Sequence, residues 1–377
     1  MLPVRQDLKG EKPYGAPQLS VPVRLNVNEN PYSPSAQVQA DIASAVGAAA
    51  RQLNRYPDRD FLPLREALAN YLEAEAQVLI DPTQIWAANG SNEIMLHILQ
   101  AFAGPGRYAA TFAPSYSMYP EYARDTFTQW VSGTRNADFS LNLAEVGRIL
   151  DDYHPAVVFL ASPNNPTGTA LDLATLRSIL ELTRSSGPLI TDMDGETTSE
   201  ARASTIVVVD EAYAEFRREG VPSALELVAD YPHVIVTRTA SKAFGAAGLR
   251  LGYMAAHRDI IDQLMLVRLP YHLSSITQAA ALAALSHSSE LLEQVGEIRT
   301  SRDAMAAELV RRGFDVAPSD ANFIFFGTFS DVHAAWQGLL ERGVLVRDVG
   351  YEGRLRVSIG TPHENEIFLK ALAEVTR

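Results

Sequence analysis

The chain has no cysteine. Disulfide staples, thiolate catalysis and cysteine-ligated metals are therefore excluded, and a reducing compartment is permitted. Its eight histidines show neither HxxxH nor HxH spacing, so no metal-ligand set is expected. No apolar run approaches the roughly 20 residues that span a bilayer, and Met1–Asp7 lacks the apolar stretch of a signal peptide. The expectation is a cytoplasmic protein. Basic residues are in deficit: 32 Lys and Arg stand against 45 Asp and Glu, a net charge of −13. That balance argues against nucleic acid or an anionic membrane as partner. Biased tracts and internal repeats are also missing.

What is present is an ordinary globular composition, 47% apolar and 20% charged, over 377 residues. That length exceeds one ordinary domain and can bury a large core. Residues 1–35 are rich in Pro and Asn and read as an extended arm that packs on the smaller lobe or on a partner chain. Helical spacing follows at 36–50 and 61–76. Short apolar runs then recur at 85–88, 108–112, 127–131, 156–161, 206–209, 234–237 and 250–255, most of them separated by helical stretches. Near-continuous apolar strands alternating with helices predict an α/β domain over 36–273, its sheet largely parallel and covered on both faces. The polar, acidic stretch 184–205 shows no clear period and reads as a surface insertion without a catalytic part. From 274 the texture changes to a helical connector, broken near His287-Ser288-Ser289, and then to an α+β lobe ending at 377.

Ligands of parallel sheets sit at the carboxyl ends of the strands. Those ends carry Ser115-Tyr116, Asn164-Asn165-Pro166-Thr167-Gly168, Asp210-Glu211-Ala212-Tyr213 and Ser241-Lys242. A lone loop lysine is normally a solvated one. A nucleophilic lysine must instead be desolvated and near another cation, and Arg250 follows eight residues after Lys242. Such an amine condenses with an aldehyde. An aldehyde cofactor with a pyridine ring would need a carboxylate at its ring nitrogen (Asp210), a hydroxyl at its ring oxygen (Tyr213) and an aromatic against its face (Tyr116). Its phosphate would need a helix N-terminus, hydroxyls and a guanidinium, which Ser91, Asn92, Ser241 and Arg250 offer. From local sequence alone, Ser91 or Asn92 could equally be a simple helix cap.

Taken together, Asn165-Pro166-Thr167-Gly168, Asp210-x-x-Tyr213 and Ser241-Lys242 with Arg250 and Gly252 resemble the signature of the fold type I pyridoxal-phosphate aminotransferases. Within them the chain is similar to the histidinol-phosphate aminotransferases. The residues that carry this are Asn28-Glu29-Asn30-Pro31-Tyr32, Arg55-Tyr56-Pro57-Asp58, Asn89-Gly90-Ser91-Asn92-Glu93, Val346-Arg347-Asp348 and Leu355-Arg356-Val357. The resemblance implies a mostly parallel seven-stranded sheet between helices, a smaller C-terminal lobe and an N-terminal arm. It implies pyridoxal 5'-phosphate on Lys242, with Asp210 at the ring nitrogen, Asn165 and Tyr213 at the ring oxygen, and Tyr116 stacked. Ser91, Asn92, Ser241 and Arg250 would hold the phosphate, joined by Tyr56 of a second subunit, hence a homodimer. Arg356 would receive the glutamate carboxylate; Tyr14, Asn30 and Arg347 would serve the other substrate, histidinol phosphate. Transamination with 2-oxoglutarate in histidine biosynthesis is the implied activity. An aromatic amino-acid aminotransferase or a threonine-phosphate decarboxylase would share the scaffold. A non-catalytic regulator would be expected to carry a basic nucleic-acid footprint, and none is visible.

Overall fold

Seven strands form the central sheet of the computed structural model, which describes residues 2–194 and 197–376. Across the sheet they run Ile85–Ala88, Gly252–Ala256, Val234–Thr239, Ile206–Asp210, Val157–Ala161, Tyr108–Ala113 and Gln129–Thr134. Gly252–Ala256 is antiparallel to both of its neighbours, and the other pairs are parallel. This is the α/β architecture expected. The inner strands read as unbroken apolar runs because both faces are covered: every residue of Val157–Ala161, Ile206–Asp210 and Val234–Thr239 is buried. The helix Ser91–Phe102 packs on the strands Ile85–Ala88, Val234–Thr239 and Gly252–Ala256, and on the helix Arg258–Val267. Among the described residues no helix is long and apolar enough to cross a membrane.

Two edges differ from the sequence reading, each for a local reason. The strand expected at 127–131 runs instead over Gln129–Thr134, because Phe127 sits in a left-handed turn at φ 57°. Arg250 is likewise left-handed, at φ 56°, and stays off the strand that follows it.

The 184–205 stretch is not a structureless loop. Leu189–Asp194 and Thr197–Arg202 pair antiparallel as a two-stranded hairpin, and its tip, residues 195–196, lies outside the described residues. The cue in the sequence was the Asp194-Gly195 dipeptide between two polar, β-tolerant runs. The hairpin is rooted where Gly187 N–H donates to Ala203 O and Thr205 Oγ1 donates to Pro155 O, before the strand Ile206–Asp210 begins. It therefore leaves from the end of that strand opposite Asp210.

After the helices Ser275–Leu285 and Ser288–Arg311, a three-stranded antiparallel sheet joins Asp315–Val316, Phe323–Gly327 and Arg354–Ser358. The arm enters this region. Val23–Arg24 pairs parallel with Val344–Leu345, and Ser358 N–H donates to Leu25 O.

Behind the carboxyl end of the strand Ile206–Asp210 lies a buried ionic cluster. Strand alternation turns Glu211 away from Asp210. There Glu211 accepts from Arg238 Nε at 2.9 Å, from Ser223 Oγ at 2.8 Å and from Ala224 N–H at 2.7 Å. Arg238 also meets Glu75 at 2.9 Å and Glu215 at 3.4 Å, while Arg217 meets Glu75 at 2.9 Å. Burial opposes ionisation of Glu75, yet the charges of Arg238 and Arg217 hold its carboxyl below the usual range. Burial pushes Glu215 up, and Tyr71 donates to it at 3.1 Å. The cluster pins the backbone just after Asp210 to the helix Leu62–Ala76 and to the strand Val234–Thr239. Replacing Arg238 with Leu removes a cation that Glu75, Glu211 and Glu215 share and leaves Arg217 to face Glu75 and Glu211. We expect Arg238→Leu to lose about 3–5 kcal/mol in denaturant unfolding; an unchanged midpoint would mean the cluster contributes nothing net.

Candidate functional site

A cavity of ≈ 730 Å³ opens at the carboxyl ends of the parallel strands. Lys242 lines it, three residues beyond the strand Val234–Thr239, and its Nζ donates to Val27 O at 2.9 Å. Burial, then the charges of Arg356 and Arg250, lower its pKa to about 8 against the opposing charge of Glu29. A fraction of this amine is thus neutral near physiological pH, unlike that of a solvated lysine.

Asp210 lines the same cavity and is buried. Its carboxylate accepts from Tyr119 Oη at 2.9 Å, from Thr237 Oγ1 at 3.3 Å and from Ala212 N–H at 3.3 Å. Burial still outweighs these bonds and pushes its pKa up. A buried carboxylate in this state gains from a cationic partner in the cavity. Tyr213 accepts from Asn28 Nδ2 at 3.0 Å, which leaves its own hydroxyl proton free to donate.

Arg356 donates to Asn165 Oδ1 at 2.6 Å and to Asn26 O at 2.7 Å, and its buried Nε has no partner among the described residues. Burial lowers its pKa to about 10, so it remains a cation at neutral pH. With Oδ1 engaged, Asn165 keeps its amide N–H groups for the cavity that it lines. Arg347 also lines the cavity and is joined to Arg356 through two backbone hydrogen bonds of 2.9 Å.

Ser91, Asn92, Ser241 and Arg250 gather at one end, where Ser91 opens the helix Ser91–Phe102. Arg250 Nη1 lies 3.5 Å from Ser241 Oγ and donates to Ala247 O at 3.1 Å. Gly90, at φ 84°, is required here: a Cβ would stand 2.7 Å from Arg250 Nη2. Gly252 is required as well, since a Cβ would collide with the Ser91 backbone nitrogen.

Tyr116 lines the cavity and meets Tyr119 edge-on, with ring centroids 5.4 Å apart. Tyr14 of the arm reaches the cavity and shares a hydrogen bond of 3.1 Å with Ser117 Oγ. One expected residue, Asn30, is elsewhere, and Tyr56 is expected only from a second subunit. The Asn30 amide donates to Ala243 O at 3.1 Å and accepts from Tyr32 N–H at 2.9 Å, bracing the loop after Lys242. Tyr56 is 81% exposed, stacks on Tyr271 at 4.5 Å and is not on the wall of its own chain's cavity.

Sequence reasoning missed Tyr119, Asn28 and Ser117. Tyr119 opens the helix Tyr119–Asp125 three residues after Tyr116, which lies in the loop before it, and no local pattern marks its reach to Asp210. Asn28 takes φ 57°, a conformation asparagine tolerates, and its amide bridges Tyr213 to Ser358, whose Oγ donates to it at 2.9 Å.

Residues 20–193 and 198–372 match the family model described as aminotransferase class I and II. A histidinol-phosphate aminotransferase of Thermobifida fusca is 53% identical over 375 residues, covering 100% of this chain and 96% of that protein. One of Frankia casuarinae is 53% identical over 371 residues, covering 98% and 89%. Among solved structures, histidinol-phosphate aminotransferase from Sinorhizobium meliloti in complex with pyridoxal-5'-phosphate superposes with a TM-score of 0.80 at 23% identity, over 94% of this chain and 91% of that one. At that identity the likeness concerns the fold, which is fold type I.

The position of Lys242 predicts a titration. In protein free of bound small molecules, acylation of Lys242 by an amine reagent, followed by peptide mapping, should rise through a midpoint near pH 8, because only the neutral amine reacts. Removing a repelling charge with Arg356→Gln should move that midpoint upward. A wild-type midpoint at the ordinary lysine value would contradict the geometry.

Proposed function

Because the chain belongs to the class I and II aminotransferases, and within them to the histidinol-phosphate aminotransferase family, we propose that it moves an amino group between L-histidinol phosphate and 2-oxoglutarate, giving imidazole-acetol phosphate and L-glutamate. This is a step of histidine biosynthesis. The observation that carries the reading is the convergence of a lysine with a lowered pKa, a buried aspartate and three arginines on one cavity.

The residues present fit pyridoxal 5'-phosphate. Asp210 is a buried carboxylate that gains from a protonated ring nitrogen. The Gly90–Asn92 turn with Ser241 and Arg250 forms a cradle that a Cβ at Gly90 would fill, and its donors suit a phosphate. When bound, the cofactor supplies an electron sink for the substrate carbon that bears the amine. Lys242 would hold it, and its Nζ would carry the proton to and from that carbon. Asp210 would pair with the ring nitrogen. Asn165 and Tyr213 would donate toward the ring oxygen, and Tyr116 would cover the ring. Asn28 of the arm holds Tyr213 and the Asn26 carbonyl of the arm holds Arg356, which also donates to Asn165, so the ring site and the substrate site both lean on the arm.

Two anions of different length must be served. A planar guanidinium suits either a carboxylate or a phosphate. Arg356 takes the α-carboxylate of glutamate, and Arg347 with Tyr14 takes the phosphate end of histidinol phosphate. Asn30, assigned to the substrate from sequence, acts by holding the Lys242 loop at Ala243. Tyr56 completes the phosphate cradle of a second subunit, which makes the enzyme a homodimer; its exposure on this chain leaves it available for that contact.

Half-reaction spectroscopy tests the reading. Cofactor-loaded enzyme mixed with L-histidinol phosphate alone should convert the bound cofactor to its amine form, and phenylalanine should do so far more slowly. Lys242→Ala should lower turnover by about 10²–10⁴-fold or more. Rapid conversion by phenylalanine with none by histidinol phosphate would refute the substrate assignment, and sedimentation of the active enzyme as a monomer would refute the role of Tyr56.

A further inference from the structure

The arm reaches the cavity on few contacts. Among the described residues between Leu2 and Pro22, its backbone-to-backbone hydrogen bonds are local turns only, such as Leu8 N–H to Arg5 O and Val21 N–H to Leu19 O, and Pro17 O accepts from Asn26 Nδ2 at 2.9 Å. The short turn Gln6–Leu8 buries no residue. No apolar core fixes this segment, so its placement over the cavity depends on individual side chains.

Those side chains converge on one neighbour. The Arg5 guanidinium lies 4.0 Å from the centroid of the Phe127 ring and donates from Nη2 to Arg124 O at 3.1 Å. Asp7 orients it by accepting from Nε at 3.1 Å. Glu11 stands 3.6 Å from Arg124 Nη1, and Tyr14 Oη meets Ser117 Oγ at 3.1 Å. Ser117, Arg124 and Phe127 all belong to the helix Tyr119–Asp125 and its flanks. The same helix carries Tyr119, which holds Asp210. The left-handed turn at Phe127 leaves its ring 55% exposed, as the face on which Arg5 sits.

We propose that Arg5 is a positioning residue for substrate binding: a latch on Phe127 and Arg124 that sets Tyr14 over the cavity. The inference rests on the reading that Tyr14 contacts the phosphate-bearing substrate. Its energetics are those of a population shift. If Tyr14 binds only while the arm is latched, the apparent affinity scales with the latched fraction, while the chemistry of the bound complex is unchanged. A cation over an aromatic ring and one charged hydrogen bond set the size of that shift.

The test uses cofactor-loaded enzyme and the variants Arg5→Ala, Arg5→Lys, Tyr14→Ala and Arg5→Ala/Tyr14→Ala. Arg5→Ala should raise KM for histidinol phosphate by about three- to tenfold with kcat within about twofold. Arg5→Lys, which keeps the cation and loses the planar fork, should fall between. In the Tyr14→Ala background the Arg5 change should add nothing. Without substrate, cleavage after Lys9 by a lysine-specific endoproteinase should be faster in Arg5→Ala than in wild type. That readout reports on the arm whichever amine the enzyme accepts, so failure of the substrate assignment is distinguishable from failure of the latch. An unchanged KM, independent addition of the two substitutions, or an unchanged cleavage rate would each overturn the proposal.

Discussion

The constraint on which the site depends is a carboxylate buried at the end of a central strand. Asp210 is desolvated, and three donors do not fully offset that cost. The fold tolerates it because the next residue, Glu211, anchors the chain from the other side of the sheet through Arg238. A carboxylate that lines the cavity and a structural one thus occupy consecutive positions and face opposite ways. The first is held under electrostatic stress, and the second is relieved by the cluster that holds the strand end in place. Function is thereby tied to folding at a single dipeptide.

The other parts of the cavity follow from the same geometry. Parallel strands bring Lys242, Asp210 and Asn165 to one edge, although 77 residues of chain separate Asn165 from Lys242 in sequence. The antiparallel strand Gly252–Ala256 returns Arg250 to that edge, and Gly90 and Gly252 let backbone and guanidinium close on each other. The arm then couples the large sheet to the C-terminal strands. Asn28 touches Tyr213 on one side and Ser358 on the other, and Asn26 O receives Arg356. Lys242, Tyr213 and Arg356 are therefore adjusted by one short extended segment, Asn26–Asn28, that has almost no regular structure.

Much of this was legible in the sequence, and the reasons are physical. Ile206-Val207-Val208-Val209 can only be an interior strand, and the residue following such a strand must lie at its tip. The tips therefore named Asp210 and Asn165, and the chemistry of a desolvated amine named Lys242. The hairpin at 189–202 was hard to read because its mostly polar strands carry no clear period-two contrast, which left the Asp194-Gly195 dipeptide as its one cue. The work of Asn28 and Tyr119 was hidden because each acts on a residue far away in sequence, Tyr213 and Asp210. The strand expected over 234–237 runs on to Thr239, which makes Arg238 a buried cation within it. Local pattern does not reveal which distant carboxylates surround a side chain.

The central claim is that buried Asp210 keeps the ring nitrogen of the cofactor protonated. Nitrogen-15 resonance of ring-labelled pyridoxal 5'-phosphate bound to the enzyme measures this directly. The account predicts a protonated ring nitrogen in the wild type throughout the neutral pH range, and a neutral one in Asp210→Asn. A neutral ring nitrogen in the wild-type enzyme would contradict it.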